Sequence, residues 1–176
     1  MKICKDCSEP FEPIRKHNST LTTNRCEICL KTKQALKNLA SIKKEKKTKQ
    51  KEDLMTLQDY LKIAQATFNK FIRLRDNGNN CISCSKPCKK ENAGHYFSSG
   101  GHANVRFDEN NVHLQCEHCN TFLSGNLILY GVNLEEKIGV DEFTILRQKA
   151  YETRKFTKQE LKEITEYYKK KIAILK

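Results

Sequence analysis

The chain has 176 residues, 33 Lys and Arg against 21 Asp and Glu, a formal charge of +12, nine Cys and no Trp. That length allows one ordinary domain or two small modules with a linker. With 38% apolar and 31% charged residues, the chain is core-poor without being disordered throughout. No run approaches the roughly 18 apolar residues of a membrane span, and MKICKDCSEPF lacks the apolar core of a secretory signal. The expectation is a cytoplasmic chain with no membrane partner, whose cysteines bind metal rather than form disulfides.

In chain order, residues 1–30 hold CKDC at 4–7 and CEIC at 26–29, an expected N-terminal four-cysteine finger. Residues 31–53 are a Lys-rich linker or solvated helix, in which Leu36, Leu39 and Ile42 make at most a short stripe. Residues 31–80 carry thirteen basic and five acidic groups, so 13 − 5 = +8, two thirds of the total excess. The densest part includes Lys43, Lys44, Lys46, Lys47, Lys49 and Lys51. It reads either as a solvated linker or as a strip that neutralises phosphates and releases their counterions. An anionic membrane is a poorer partner than nucleic acid, because no bulky apolar face accompanies the lysines.

Over 54–80 the apolar residues Leu57, Leu61, Ala64, Phe68, Phe71 and Ile72 recur at helical spacing. Thr56 and Asp59 form a capping box, and Asp76-Asn-Gly-Asn79 ends the helix. The segment 81–130 reads as short strands AGHYF (93–97) and NVRF (104–107) around a Gly-rich turn, a third strand over 112–114, and a short helix after Cys116 closed near Gly125. Residues 131–176 show three helical patterns. Asn133 to Glu136 and Thr157 to Glu160 are the expected starts of two, and Asp141 caps the middle one. In the last, Leu161, Ile164, Tyr168, Ile172 and Leu175 form one apolar stripe, read as core packing ahead of a dimer face.

Eight of the nine cysteines fall in C-x-x-C pairs, a spacing that lets two thiolates on one tight turn share an ion. Pairing by proximity groups Cys4, Cys7, Cys26 and Cys29, then Cys81, Cys84, Cys116 and Cys119. Four thiolates complete a tetrahedron, so two structural Zn²⁺ are expected. Redox-active pairs would want a thioredoxin-like context that is absent. Cys88 is left over as a free thiol or as a ligand exchanging with Cys84. Within the second quartet lie His95, the Gly-rich turn, Asn111 and then Cys116-Glu-His-Cys119-Asn120, a ββα arrangement with polar residues at its centre.

The ordered set of FIRLRD (71–76), CISC (81–84), AGHY (93–96), RF (106–107) and the stretch 111–126 resembles the zinc-braced His-Asn-His, or ββα-metal, nuclease family. C-x-x-C-N in place of C-x-x-C-H is similar to endonuclease VII-type junction resolvases. The similarity is closer still to the NinG, or Rap, family of phage recombination proteins, and it covers nearly the whole chain. The resemblance implies an α+β fold with an N-terminal zinc finger, a long basic helical segment, a treble-clef-like ββα core and C-terminal helices. It implies an endodeoxyribonuclease acting on branched DNA such as Holliday junctions and D-loops. His95 would be the base, Asn120 a ligand of one catalytic Mg²⁺ or Mn²⁺, and Asn111 the residue that orients the histidine loop. Many members place Asp before the first histidine, where this chain has Gly94. His95 would then be itself a ligand, or Glu91, Asp108 or His113 would substitute, with His102 a second candidate base. A homodimer would suit cutting of opposite strands. The rival readings are a non-catalytic zinc-finger DNA-binding protein that retains an inactive nuclease frame, and a basic zinc-knuckle RNA binder.

Overall fold

The computed structural model describes residues 1–13 and 24–175; residues 14–23 of the expected first finger lie outside the described residues. It is a mixed α/β structure, mostly helical, with two small two-stranded sheets, and it divides into a unit of Met1–Met55 and a unit of Thr56–Lys176.

In the first unit, β1 (Lys2–Ile3) pairs antiparallel with β2 (Pro10–Phe11), and α1 runs from Glu27 to Leu54. The Lys-rich segment is therefore one continuous helix that begins upstream of Cys29. Its 28 residues include none that is buried. Local side-chain pairs four apart support it: Lys31 with Glu27, Gln34 with Asn38 and Ser41 with Glu45.

The second unit starts at α2 (Leu57–Arg75), with Thr56 and Asp59 making both bonds of the capping box. The ribbon is β3 (Glu91–His95) against β4 (Val112–Cys116), antiparallel, with His95 opposite Val112 and Gly94 opposite His113. The helices α3 (Leu127–Ile138), α4 (Val140–Ala150) and α5 (Lys158–Ile174) follow. Thr157 and Glu160 cap α5 as expected. Phe68, Phe71 and Ile72 of α2, Tyr168 and Ile172 of α5, and Val112 form one core. Tyr130 and Leu134 of α3, Phe143, Leu146 and Ala150 of α4, and Val105 form the other.

Four expectations change. NVRF is not a strand: residues Ala103–Val105 are a turn of 3₁₀ helix, and the partner of β3 is the segment expected as a third strand. The cause is Asn111. Its buried side chain accepts from Phe97 N–H at 2.8 Å and donates to Phe97 O at 2.9 Å and Val105 O at 3.0 Å, so backbone groups of 97–105 are bonded to a side chain rather than to a strand. The helix after Cys116 is a single wide turn, His118–Phe122, of π type. Asn133 does not start a helix but lies within α3, where its amide donates to Ile82 O at 2.7 Å. Asp141 sits in the first turn of α4, behind Gly139, whose φ of +84° suits glycine at the join of α3 and α4.

The strand β4 is buried along almost its whole length, and its polar residues draw their partners from elsewhere. Arg75 grips both carboxylate oxygens of Asp76, at 2.7 and 2.8 Å, and also reaches Val112 O at 2.8 Å. Asp76 in turn accepts from Leu114 N–H at 2.9 Å. Arg75 donates to His113 Nδ1 at 3.0 Å, and His113 Nε2 bonds Asn110 O at 3.2 Å, the pattern of a neutral ring protonated at Nε2. The hydroxyl of Tyr130, fully buried, donates to Gly94 O at 2.9 Å and accepts from His113 N–H at 3.1 Å, bridging facing residues of the ribbon.

Burial opposes ionisation of Asp76, but Arg75 and the Leu114 N–H outweigh it and hold the carboxyl well below the usual range. A depressed carboxylate pKa stabilises the fold above the unfolded value of about 4 and loses that contribution as pH falls below it. Asp76→Asn should cost about 3 kcal/mol at neutral pH by leaving Arg75 unpaired. In urea titrations the gap between variant and parent should narrow below about pH 4; a gap independent of pH would show that the ionised carboxylate is not what matters.

Candidate functional site

Two groups of four cysteines can each hold a metal ion: Cys4, Cys7, Cys26 and Cys29 in the first unit, and Cys81, Cys84, Cys116 and Cys119 in the second, with the sulfurs of each group within 4.8 Å of one another. Both begin on the same local turn. In CKDCS, Ser8 N–H bonds Cys4 O at 3.0 Å; in CISCS, Ser85 N–H bonds Cys81 O at 2.9 Å. In each case the serine after the second cysteine takes a left-handed φ, 60° and 56°.

The donor set and its spacing fit zinc. Neighbouring sulfurs of a tetrahedron with Zn–S bonds of about 2.3 Å lie about 3.8 Å apart. Cys7 and Cys26 are 3.7 Å apart, and Cys84 and Cys116 are 3.9 Å apart. Donors are aimed at the sulfurs: Cys26 N–H at Cys4 Sγ (3.3 Å), Cys119 N–H at Cys116 Sγ (3.4 Å) and the Asn126 amide at Cys119 Sγ (3.6 Å). The hydrogen bond from the Cys26 N–H is the main cause that brings the Cys4 thiol down to about 6. At Cys81 burial acts upward, but the N–H groups of Cys116, Cys84 and Ser83 outweigh it and bring the thiol to about 7. Burial, helped by the neighbouring sulfurs, pushes Cys119 up to about 12. Four thiolates crowded this closely need a cation among them to ionise together. Cys88 belongs to neither group, and burial pushes its thiol up to about 11. Cys84 is in the tetrad in its own right.

His95 ends β3, half-buried, its ring against Phe68 of α2. Its Nε2 lies 3.1 Å from Arg106 O, and Gln65 Nε2 is 3.5 Å from the same atom. A ring proton on Nε2, donated to that carbonyl, leaves the lone pair on Nδ1. Burial is the main influence that lowers the His95 pKa; the backbone of Arg106 and of Ala93 opposes this and the Arg106 charge reinforces it. Arg106 is therefore close to His95, and its buried Nε has no hydrogen-bond partner. A cavity of about 320 Å³ is lined by His95, Tyr96, Phe97, His102, Ser124 and Leu127 among others. Asn111 anchors the backbone of Phe97 and so the loop on which His102 rides.

Asn120 is half-exposed on the π turn, outside the lining of that cavity, and among the described residues its side chain makes no hydrogen bond. None of the groups considered as substitutes at Gly94 stands free beside His95. Glu91 is at the other end of β3, Asp108 caps Asn110 N–H at 2.9 Å, and His113 is locked between Arg75 and Asn110. The glycine itself has a packing cause. A Cβ at position 94 would lie 2.2 Å from Gln115 Oε1 and 2.9 Å from Gln115 Cβ, so no side chain fits there while Gln115 keeps its place. Gln115 is fully buried and donates to Ser83 Oγ at 2.6 Å and Gly125 O at 2.5 Å. The six lysines named in 43–51 all lie exposed on α1. Sequence patterns did not indicate the part played by Arg75 and Asp76, or by the Arg106 carbonyl. The Arg-Asp pair closing α2 was the available signal for the first, and a backbone carbonyl leaves none.

Fold and site together define a small α/β protein with two cysteine tetrads, one of which ties the ends of a histidine-bearing ribbon. The sequence matches the family described as Bacteriophage Lambda NinG protein over residues 1–176, and the chain belongs to that family. It is 39% identical over 121 residues to Protein ninG of Salmonella phage P22, covering 66% of this chain and 58% of the relative. It is 37% identical over 121 residues to Protein ninG of Escherichia phage lambda, covering 66% of this chain and 57% of the relative. The match thus spans less than two thirds of these curated relatives. No solved structure matches the chain. Among the described residues no helix is long and apolar enough to cross a membrane.

Metal analysis of the purified protein should find two zinc ions per chain. Cys116→Ser should lower this to one and cause loss of the near-ultraviolet signal of the second unit, since binding energy of a structural zinc is folding energy. Full zinc content in the variant, or none in the parent, would refute the assignment.

Proposed function

We propose that this NinG-family chain is a metal-dependent, structure-specific endonuclease that cuts branched recombination intermediates such as Holliday junctions and D-loops, in the cytoplasm of the phage's host. The observation that carries the reading is His95, with one ring nitrogen bound to the Arg106 carbonyl and the other left as a base, beside an Arg106 Nε that has no protein partner. Burial disfavours the charged ring, so His95 starts neutral and can take a proton from attacking water at Nδ1. Asn111 acts through the backbone, holding the histidine loop in place.

A bound Mg²⁺ or Mn²⁺ would supply charge neutralisation at the scissile phosphate. Asn120 is the residue assigned to it, because a His95 that keeps Nε2 on the Arg106 carbonyl and uses Nδ1 as the base has no nitrogen left for an ion. Apart from the two tetrads, no group of three or more His, Cys, Asp or Glu converges among the described residues. Such an ion would therefore be held largely by water and DNA phosphates, as Mg²⁺ commonly is. The lysines of α1 supply contacts that do not depend on sequence. A homodimer would present two sites to the two strands of a junction.

The lack of room for an acid at position 94 favours a second reading, a zinc-finger DNA-binding protein that retains the nuclease frame without catalysis. Labelled four-way junction, linear duplex and hairpin RNA, incubated with Mg²⁺, Mn²⁺ or EDTA, separate the readings. Junction cleavage that needs the metal, with His95→Ala at least about 100-fold slower and binding kept, is expected. Binding without cleavage in every metal would leave the second reading, and preference for RNA would remove both. Replacing Lys43, Lys47 and Lys51 by Gln should weaken binding to all DNA shapes alike and flatten the salt slope by about one unit per lost contact. Unchanged junction affinity would reduce α1 to a linker.

A further inference from the structure

His95 is not the only histidine at this cavity. His102, from the Gly-rich turn, lines it too, together with the Phe97 that lies between them in sequence. The two rings are held in a parallel manner. Each has one nitrogen on a backbone carbonyl: His95 Nε2 on Arg106 O at 3.1 Å, and His102 Nδ1 on Ala150 O at 2.9 Å. The bound nitrogen therefore differs, leaving Nδ1 of His95 and Nε2 of His102 for chemistry.

His102 is fixed on further sides. Its ring packs edge-on against Phe97 at 5.2 Å and Tyr151 at 5.6 Å between centroids. The backbone beneath it is pinned by Asn111 at Phe97 and Val105 and by His102 N–H to Ser98 O at 2.9 Å.

We infer that His102 is the second proton-transfer group of the site, giving its Nε2 proton to the oxygen that leaves when the phosphodiester breaks; this role rests on the endonuclease reading above. The step begins with His102 protonated on both nitrogens, Nδ1–H on the Ala150 carbonyl and Nε2–H toward the leaving oxygen, and with His95 neutral; water oxygen bonds to phosphorus and its proton passes to His95 Nδ1. The bond from phosphorus to the leaving oxygen breaks with its electron pair on that oxygen, which takes the proton from His102 Nε2. His95 ends protonated and His102 neutral, and exchange with solvent resets both. Throughout, the Ala150 carbonyl keeps its hydrogen bond from Nδ1, so the proton that His102 loses is always the one on Nε2. The same logic holds for His95, whose Nε2 proton stays on Arg106 O while Nδ1 changes state.

The test replaces the leaving oxygen by sulfur at the mapped cut site of a four-way junction, because a thiolate departs without a proton. The variant His102→Asn can keep an amide on the Ala150 carbonyl but carries no acid; His102→Gln is measured beside it. On the all-oxygen junction both variants should cut at least about 100-fold slower than the parent, and on the sulfur junction within about threefold of it. His95→Ala should be slow on both substrates. Zinc content, melting and junction binding of the His102 variants should match the parent. Equal slowing on both substrates would mean that His102 only positions the loop and would overturn the inference, as would unimpaired cutting of the oxygen junction. If the parent cuts neither junction while binding both, the endonuclease reading itself has failed and this role falls with it.

Discussion

A strand that is dry on both faces yet carries polar side chains governs the second unit. His113 and Gln115 within it, and Asn111 just before it, are each no more than 3% exposed. A buried polar group without a partner costs on the order of 1–3 kcal/mol, so each must be answered. The answers come from different parts of the chain: Arg75 at the end of α2, Ser83 in the first cysteine turn, Gly125 after the second, and Phe97 and Val105 in the histidine loop. Satisfying one strand therefore ties α2, both halves of the cysteine tetrad and the histidine loop into one register. The cores of α2 with α5 and of α3 with α4 then close around a framework set by hydrogen bonds.

The same network bears on the site. Gln115 occupies the space that a side chain at 94 would need, so the absence of an acid before His95 is tied to the packing of the strand opposite. It also leaves Gln115 Oε1 buried without a partner, a cost retained at the centre of the ribbon. What stands beside His95 instead is a cation, Arg106.

The first unit works by different means. Its helix α1 buries no residue, so tertiary packing does not stabilise it along its length. Local pairs and the cysteine tetrad at its start hold it, and the lysines remain in solvent. A basic rod of this kind is suited to a polyanion and has little intrinsic reason to select one sequence over another.

Much of this was legible in the residues. Spacing alone marked both tetrads, because a C-x-x-C turn places two thiols where they can share an ion wherever it lies in the chain. The capping boxes at Thr56 and Thr157 and the apolar stripes of α2 and α5 were readable because they are set by neighbours three and four residues away. The strand pairing was not. NVRF has strand-like composition, but the side chain of Asn111 bonds the backbone of the loop before it and passes the ladder to 112–116. Asn133 looked like a helix cap because Asn, Glu and spacing are local signals, whereas its amide is spent on the cysteine turn at Ile82, fifty-one residues earlier. His113 looked like a spare ligand until Arg75 took its Nδ1. The sequence by itself determined where metal can bind and which helices form, since those depend on near neighbours. Only the tertiary structure decided which polar residues are spent on holding β4 and which nitrogens of His95 and His102 remain open, because those depend on carbonyls and amides brought in from distant parts of the chain.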